Sequence, residues 1–285
     1  MKLLAEAPPL SSSRLAFSSG ANEDRELLRS RVFLRAVLPV LEVLVREQAS
    51  LGRSYRGVTA NVHLMIAGHP ELGIALCSNR GFLTVRPSHE VGECTQRWVF
   101  KDPAACNSFF GSRSSLPHVQ GAWRHPLLLV KTLRLLNALS VLRPSSRCLP
   151  LAPERALRVR AVLYSVGRAL VQLHKGGHTG MLSMVAESPE RVYQWTVGDE
   201  RRPDCIAMYV RMAHGKIQMG HGIYQGRHPF VHFAFRDVHA AFEMFTTSQS
   251  QMSGVTRGLL KTHGSPEYAH KMVRMMQRID ELIQG

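Results

Sequence analysis

The chain is poor in the patterns that mark a chemical class directly. Its five cysteines (Cys77, Cys94, Cys106, Cys148 and Cys205) are odd in number, and none form a Cys-x-x-Cys pair. A zinc ribbon and a disulfide framework are therefore both excluded, and free thiols in a reducing compartment are predicted. No apolar run reaches the ~18 residues of a membrane helix. The N-terminus, Met1-Lys2-Leu3-Leu4-Ala5-Glu6, places an acid where a secretory signal needs an apolar core. These two absences predict a soluble, cytoplasmic protein. Gly-x-Ser-x-Gly, His-Glu-x-x-His and glycine-rich phosphate motifs are missing, and Lys175-Gly176-Gly177-His178 reads as a plain loop. Neither a cofactor nor a metal is expected. Acidic residues are also scarce, 21 against 36 Lys and Arg, for a net charge of +15. That balance suits an anionic membrane surface or an acidic ligand. The basic residues are scattered and lack interleaved aromatics, which argues against nucleic acid.

What is present is globular. Hydrophobic residues make up 45% of the chain and charged residues 20%, and 285 residues is a natural length for two domains. Residues 1–22 are rich in Ser, Pro and Gly and read as a flexible leader. A first unit spans 23–140, a linker 141–153 and a second unit 154–285. Each opens with an amphipathic helix. In the first, Leu27, Leu34, Leu38, Leu41 and Val45 recur at helical spacing, Asn22 or Asp24 can cap the start, and Pro39 should kink it. Strands are expected at 58–66, 72–77, 82–86 and 95–100, with Gln96, Trp98 and Phe100 on one face, then helices to about 110 and over 126–139. The second unit repeats the order: helices over 154–174 and 179–187, strands at 192–197, 205–212, 216–219 and 230–235, then helices to 245 and over 266–283.

The halves match each other in detail. Trp98-Val99-Phe100-Lys101-Asp102 precedes Ala104, Ala105, Phe109 and Phe110, and Phe233-Ala234-Phe235-Arg236-Asp237 precedes Ala240, Ala241, Met244 and Phe245. Upstream, Gly73-Ile74-Ala75-Leu76 matches Cys205-Ile206-Ala207-Met208, and hairpin Gly81 matches Gly215. A repeat this long means duplicated domains, since solenoid periods are about 20–50 residues. The predicted class is α+β: two similar tandem units, each a mostly antiparallel sheet of about five strands covered by helices on one face.

On these residues each half resembles the sterol-carrier-protein type-two lipid-binding domain. The second half carries the likeness best, through Trp195, Ile206-Ala207-Met208, Gly215-Lys216-Ile217, Phe233-Ala234-Phe235-Arg236-Asp237 and Gly258-Leu259-Leu260 before the closing helix. In the divergent first half, Val119-Gln120-Gly121-Ala122-Trp123 takes the last of these places. The resemblance implies an apolar tunnel between sheet and helices that binds sterols, acyl chains or other lipids.

The residues alone yield a lining. The apolar side of the second sheet would offer Ile206, Met208, Val210, Ile217 and Met219, with Val231, Phe233 and Phe235. The facing helices would offer Phe242, Phe245, Met272, Met275, Met276 and Ile279. In the first half Trp98, Phe100 and Phe110 hold the corresponding places. Methionine suits a surface that accepts varied apolar partners, although the same spacing would also make an ordinary core. A hydrophobic small molecule is thus the expected partner; two alternatives stay open. One is a cofactor-independent isomerase or cyclase acting on a hydrophobic natural product, with His232, Tyr224, His221 and Tyr209 around the mouth of a tunnel. The other is a ligand-free interaction scaffold. Oligomeric state is open.

Overall fold

The computed structural model describes residues 24–111, 114–142, 152–202, 205–246 and 251–284. The leader, Asn22 and most of the linker lie outside these residues, as does Cys148. Asp24 is already helical. Helix α1 (24–32) continues through a π turn (Phe33–Val37) and a 3-10 turn (Leu38–Val40) into α2 (Leu41–Glu47). Pro39 lies in the 3-10 turn, so the disturbance expected there takes the form of a local change of helical winding. A short helix, α3 (Ala49–Tyr55), follows.

The first sheet comprises β1 (Ala60–Ile66), β2 (His69–Asn79), β3 (Phe82–Pro87), β4 (Gln96–Phe100) and β5 (His118–Gln120), in the order β3-β2-β1-β4-β5. Helix α4 (Pro103–Gly111) connects β4 towards β5, and α5 (Pro126–Ala138) closes the unit. The second unit starts with α6 (Ala152–Lys175) and α7 (Thr179–Ala186). Its strands are β6 (Glu190–Val197), β7 (Ile206–Ala213), β8 (Lys216–His221), β9 (Val231–Phe235) and β10 (Leu260–Gly264), ordered β10-β9-β6-β7-β8. Helices α8 (Val238–Thr246) and α9 (Gln251–Thr256) lie between β9 and β10, and α10 (Pro266–Gln284) ends the unit.

The two sheets have one topology. In each, a hairpin pair is followed by a crossover to a strand parallel to the first (β1 with β4, β6 with β9), and a short antiparallel strand completes the edge. The molecule is therefore α+β with two similar five-stranded mixed units. Both hairpins turn through two residues of positive φ, Arg80-Gly81 and His214-Gly215, which is the turn geometry whose twist matches that of paired strands. The helices that follow β4 and β9 carry the same cap: Asp102 Oδ1 accepts from Ala105 N–H and Asp237 Oδ1 from Ala240 N–H, each at 2.7 Å.

One detail of the repeat shifts. Leu64 pairs with Ile74, and Trp195, its counterpart in the second sheet, pairs with Met208. Ile74 therefore corresponds to Met208, two residues beyond the match read from the sequence. Strands β5 and β10 pair with β4 and β9, which places the Val119 segment opposite Trp98 as the Thr262 segment lies opposite Phe233.

The units share one apolar core. Helix α6 packs on β7 and β8 of its own sheet and also on the helical run of the first unit. Arg160 pairs with Glu47 across this seam, and Arg168 approaches Glu42 at 3.9 Å. Glu42 Oε1 also accepts from the N–H of Val85 on the β3 edge at 2.7 Å. At Gly176 an added Cβ would lie 2.4 Å from Leu28 Cδ1, so the first unit's side chain occupies the second unit's missing one. Within the first unit, buried Asn107 donates to the Glu26 carbonyl (2.8 Å) and accepts from Ser30 Oγ (3.0 Å), fastening α4 to α1.

Candidate functional site

Strand alternation sorts every candidate residue onto one of two faces. On the inner face of the second sheet, Trp195 pairs with Met208 on one side and Phe233 on the other, while Val210 pairs with Met219 and Met212 with Ile217. Ile206, Val231 and Phe235 lie on the same face and are buried. Trp195 stacks on Phe233 with centroids 5.2 Å apart, and Phe235 meets Phe245 at 5.3 Å. Phe242 is buried under two cations, with the Arg155 and Arg158 guanidinium carbons 5.5 and 5.3 Å from its ring centre. From α10, Met272 and Ile279 are buried, and Met275 and Met276 are partly so.

The methionines of this face end where glycines leave room. A Cβ at Gly167 of α6 would stand 2.6 Å from Met208 Sδ and 3.0 Å from Met219 Cγ. One at Gly254 would stand 2.3 Å from Met244 Sδ. Sequence reading singled out the methionines, but the glycines opposite them became visible only with the tertiary contacts.

In the first unit the inner face is filled by rings. Trp98, Phe100 and Phe110 surround Phe109, at centroid distances of 6.3, 5.4 and 5.2 Å, and Phe110 stacks on Phe33. The Trp98 indole N–H donates to Gln96 Oε1 at 3.0 Å. Between this sheet and α5, a void of about 10 Å³ is lined by Val62, Leu76, Leu83, Leu128 and Leu135. That is at the threshold for one water molecule. Burial pushes the nearby Tyr55 phenol up to about 12.

The four residues weighed for acid–base chemistry do not gather around one opening. His221 is on the inner face, its ring 4.0 Å from that of Tyr164 on α6. Burial, with Arg168 and Arg46 nearby, lowers its pKa. His232, Tyr209 and Tyr224 belong to the outer face. There Tyr209, Gln194, His232 and His263 form one cross-strand row from β7 through β6 and β9 to β10. His232 Nε2 lies 2.8 Å from Thr196 Oγ1 and 3.3 Å from Glu200 Oε1. Its pKa is lowered by burial, with Glu200 opposing. The tyrosine rings meet each other at 5.0 Å and fill the spaces beside Gly220 and Gly226. Gln194 is buried; its amide donates to the Met208 carbonyl (2.8 Å), and its oxygen accepts from Tyr224 N–H (2.9 Å), pinning the β8–β9 connection across the sheet. Among the described residues, no group of three or more His, Cys, Asp or Glu is placed to hold a metal ion. None of their helices is long and apolar enough to cross a membrane.

No family model and no curated protein matches the chain. Among solved structures, it is similar to the stereoselective inverting sec-alkylsulfatase Pisa1 from Pseudomonas sp., at 11% identity and a TM-score of 0.24. The likeness covers 54% of this chain and 28% of the sulfatase, and at that score it carries no argument about fold or activity.

Proposed function

We propose that the protein binds a hydrophobic ligand, such as an acyl chain or a sterol-like molecule, between the sheet and α6 of its second unit. In this reading the chain is a tandem member of the sterol-carrier-protein type-two group. One observation carries the proposal: Met208 and Met219 reach into the space that Gly167 leaves open. Methionine has three rotatable bonds and a polarizable sulfur, so its tip can swing aside for an apolar guest without moving the backbone. Rings interlocked edge to face, like those around Phe109 in the first unit, offer no such give. The first unit then serves as a buttress for α6.

The test is uptake of a fluorescent fatty acid and a fluorescent sterol by delipidated protein. Met219→Ala, which shortens the plug, should raise affinity, and Met219→Trp, which fills the space, should lower it at least about tenfold, or ~1.4 kcal/mol. No uptake by any of the three proteins sinks the proposal. Uptake that ignores both substitutions moves the ligand elsewhere.

A second reading, chemistry on a hydrophobic substrate, draws on the Thr196–His232–Glu200 contacts of the outer face. It predicts turnover that His232→Ala abolishes while the fold stays intact.

A further inference from the structure

We infer that α5 of the first unit, with the turn before it, docks the protein onto an anionic lipid bilayer. This helix is apolar on two sides. Leu128, Leu135 and Leu136 are buried against the first unit. Leu127, Val130 and Leu133 are exposed, and Trp123, in the turn four residues ahead of Leu127, is 98% exposed. The other two tryptophans, Trp98 and Trp195, are each 1% exposed. Leu127 and Val130, three residues apart in α5, are neighbours on its exposed side, and Trp123 stands in the turn that leads into the helix. A bare tryptophan just ahead of an exposed leucine–valine pair is unfavourable in water, and it suits the headgroup boundary of a bilayer.

Charge selects the occupant. From Pro103 to Pro153 the chain has no acidic residue and six basic ones: Arg113, Arg124, Lys131, Arg134, Arg143 and Arg147. Arg124 and Arg134 are exposed beside the stripe. A second copy of this chain, itself at +15, would set like charge against like. Nucleic acid would pair with the arginines but leave Leu127 and Val130 without a partner. A bilayer with acidic headgroups takes both, burying the stripe and attracting the cations. The inference stands on surface residues of the first unit and is independent of any ligand in the second.

The experiment uses the full chain and its own tryptophan. Vesicles of phosphatidylcholine, with and without about one third phosphatidylserine, are titrated in low and high salt. Because Trp98 and Trp195 are buried, iodide quenching reads Trp123. Expected are co-sedimentation with the anionic vesicles, protection of Trp123 from iodide, and weaker binding in high salt. Trp123→Ala and Leu127→Asp should each lower vesicle affinity about tenfold or more, with thermal unfolding unchanged because both side chains face solvent. Failure to co-sediment with any vesicle overturns the inference. Equal binding to neutral vesicles, or undiminished binding by both variants, also overturns it. So does a concentration-dependent dimer that Trp123→Ala dissolves without lipid, since a second copy would then cover the stripe.

Discussion

His63 and Gln194 occupy the same point of the two sheets. Each sits on the outer face of the central strand, one residue before the inward Leu64 or Trp195. Each is buried and pins the connection that leaves the hairpin and returns to the parallel strand. His63 Nδ1 lies 3.2 Å from Ser88 Oγ and its Nε2 lies 3.2 Å from the Glu93 carbonyl. Gln194 holds Tyr224 in the corresponding connection. The topology thus needs a long polar side chain at this point to satisfy a loop laid across a sheet, and two chemistries meet the need. The inner faces diverge in the same way. The large indole sits on β4 in the first unit, where Trp98 opposes Leu64, and on β6 in the second, where Trp195 opposes Phe233. Around these positions the first unit uses rings alone, and the second adds methionines to its rings.

Several substitutions would break or sharpen this comparison. The largest effect is expected from Trp98→Ala and Trp195→Ala. Each should cost about 3–5 kcal/mol in urea unfolding, because both indoles are fully enclosed. A much smaller loss in one unit would mean that the two frames are unequal in tightness. Next come the hairpin glycines. Gly81 at φ 95° lies well beyond the left-handed basin that Gly215 approaches at φ 69°. Gly81→Ala should therefore cost about 1–2 kcal/mol, and Gly215→Ala less; a reversed order would refute the reading of these turns. Removing either cap, by Asp102→Ala or Asp237→Ala, should cost about 1 kcal/mol, and nearly the same for both, since the two bonds have equal length.

The smallest effect separates the pins themselves. Burial lowers the His63 pKa, opposed by the Glu93 carbonyl. The unfolded chain then takes up the proton more readily, so this contribution to stability is full above the unfolded histidine value of about 6.5 and declines as pH falls below it. Gln194 does not titrate. His63→Gln should flatten the stability profile below pH ~6.5, and hydrogen exchange near residues 88–95 should lose its acid sensitivity. His178, His221 and His232 are lowered mainly by burial too, so part of the slope remains in that variant.

Local chemistry made much of this fold legible. Asp102-Pro103 and Asp237, the glycine hairpins and the alternating strands each declare themselves within a few residues. The inner and outer faces followed from period two alone, including the outward position of His232. Period two also explains the misplaced match on β2: a slip of two residues keeps every side chain on its face, so the pattern cannot register it. The elements missed are short or polar. Strand β5 has three residues, β10 reads Leu-Lys-Thr-His-Gly, and α3 contains Ser and Gly in seven residues; pairing and packing define them. The glycine notches at 167 and 254, the Gln194 pin and the Asn107–Ser30 bond join residues far apart in the chain, which single-sequence periodicity does not reach.

The filling of Gly176 by Leu28 bears on the history of such a molecule. A duplicated domain begins as two self-sufficient copies, free to be shuffled apart again. Where a side chain of one copy fills the space beside a glycine of the other, as Leu28 does beside Gly176, neither is whole alone. Split at residues 143–151, each half would carry a raw apolar scar, and the ancestral freedom of the pair to separate would be gone.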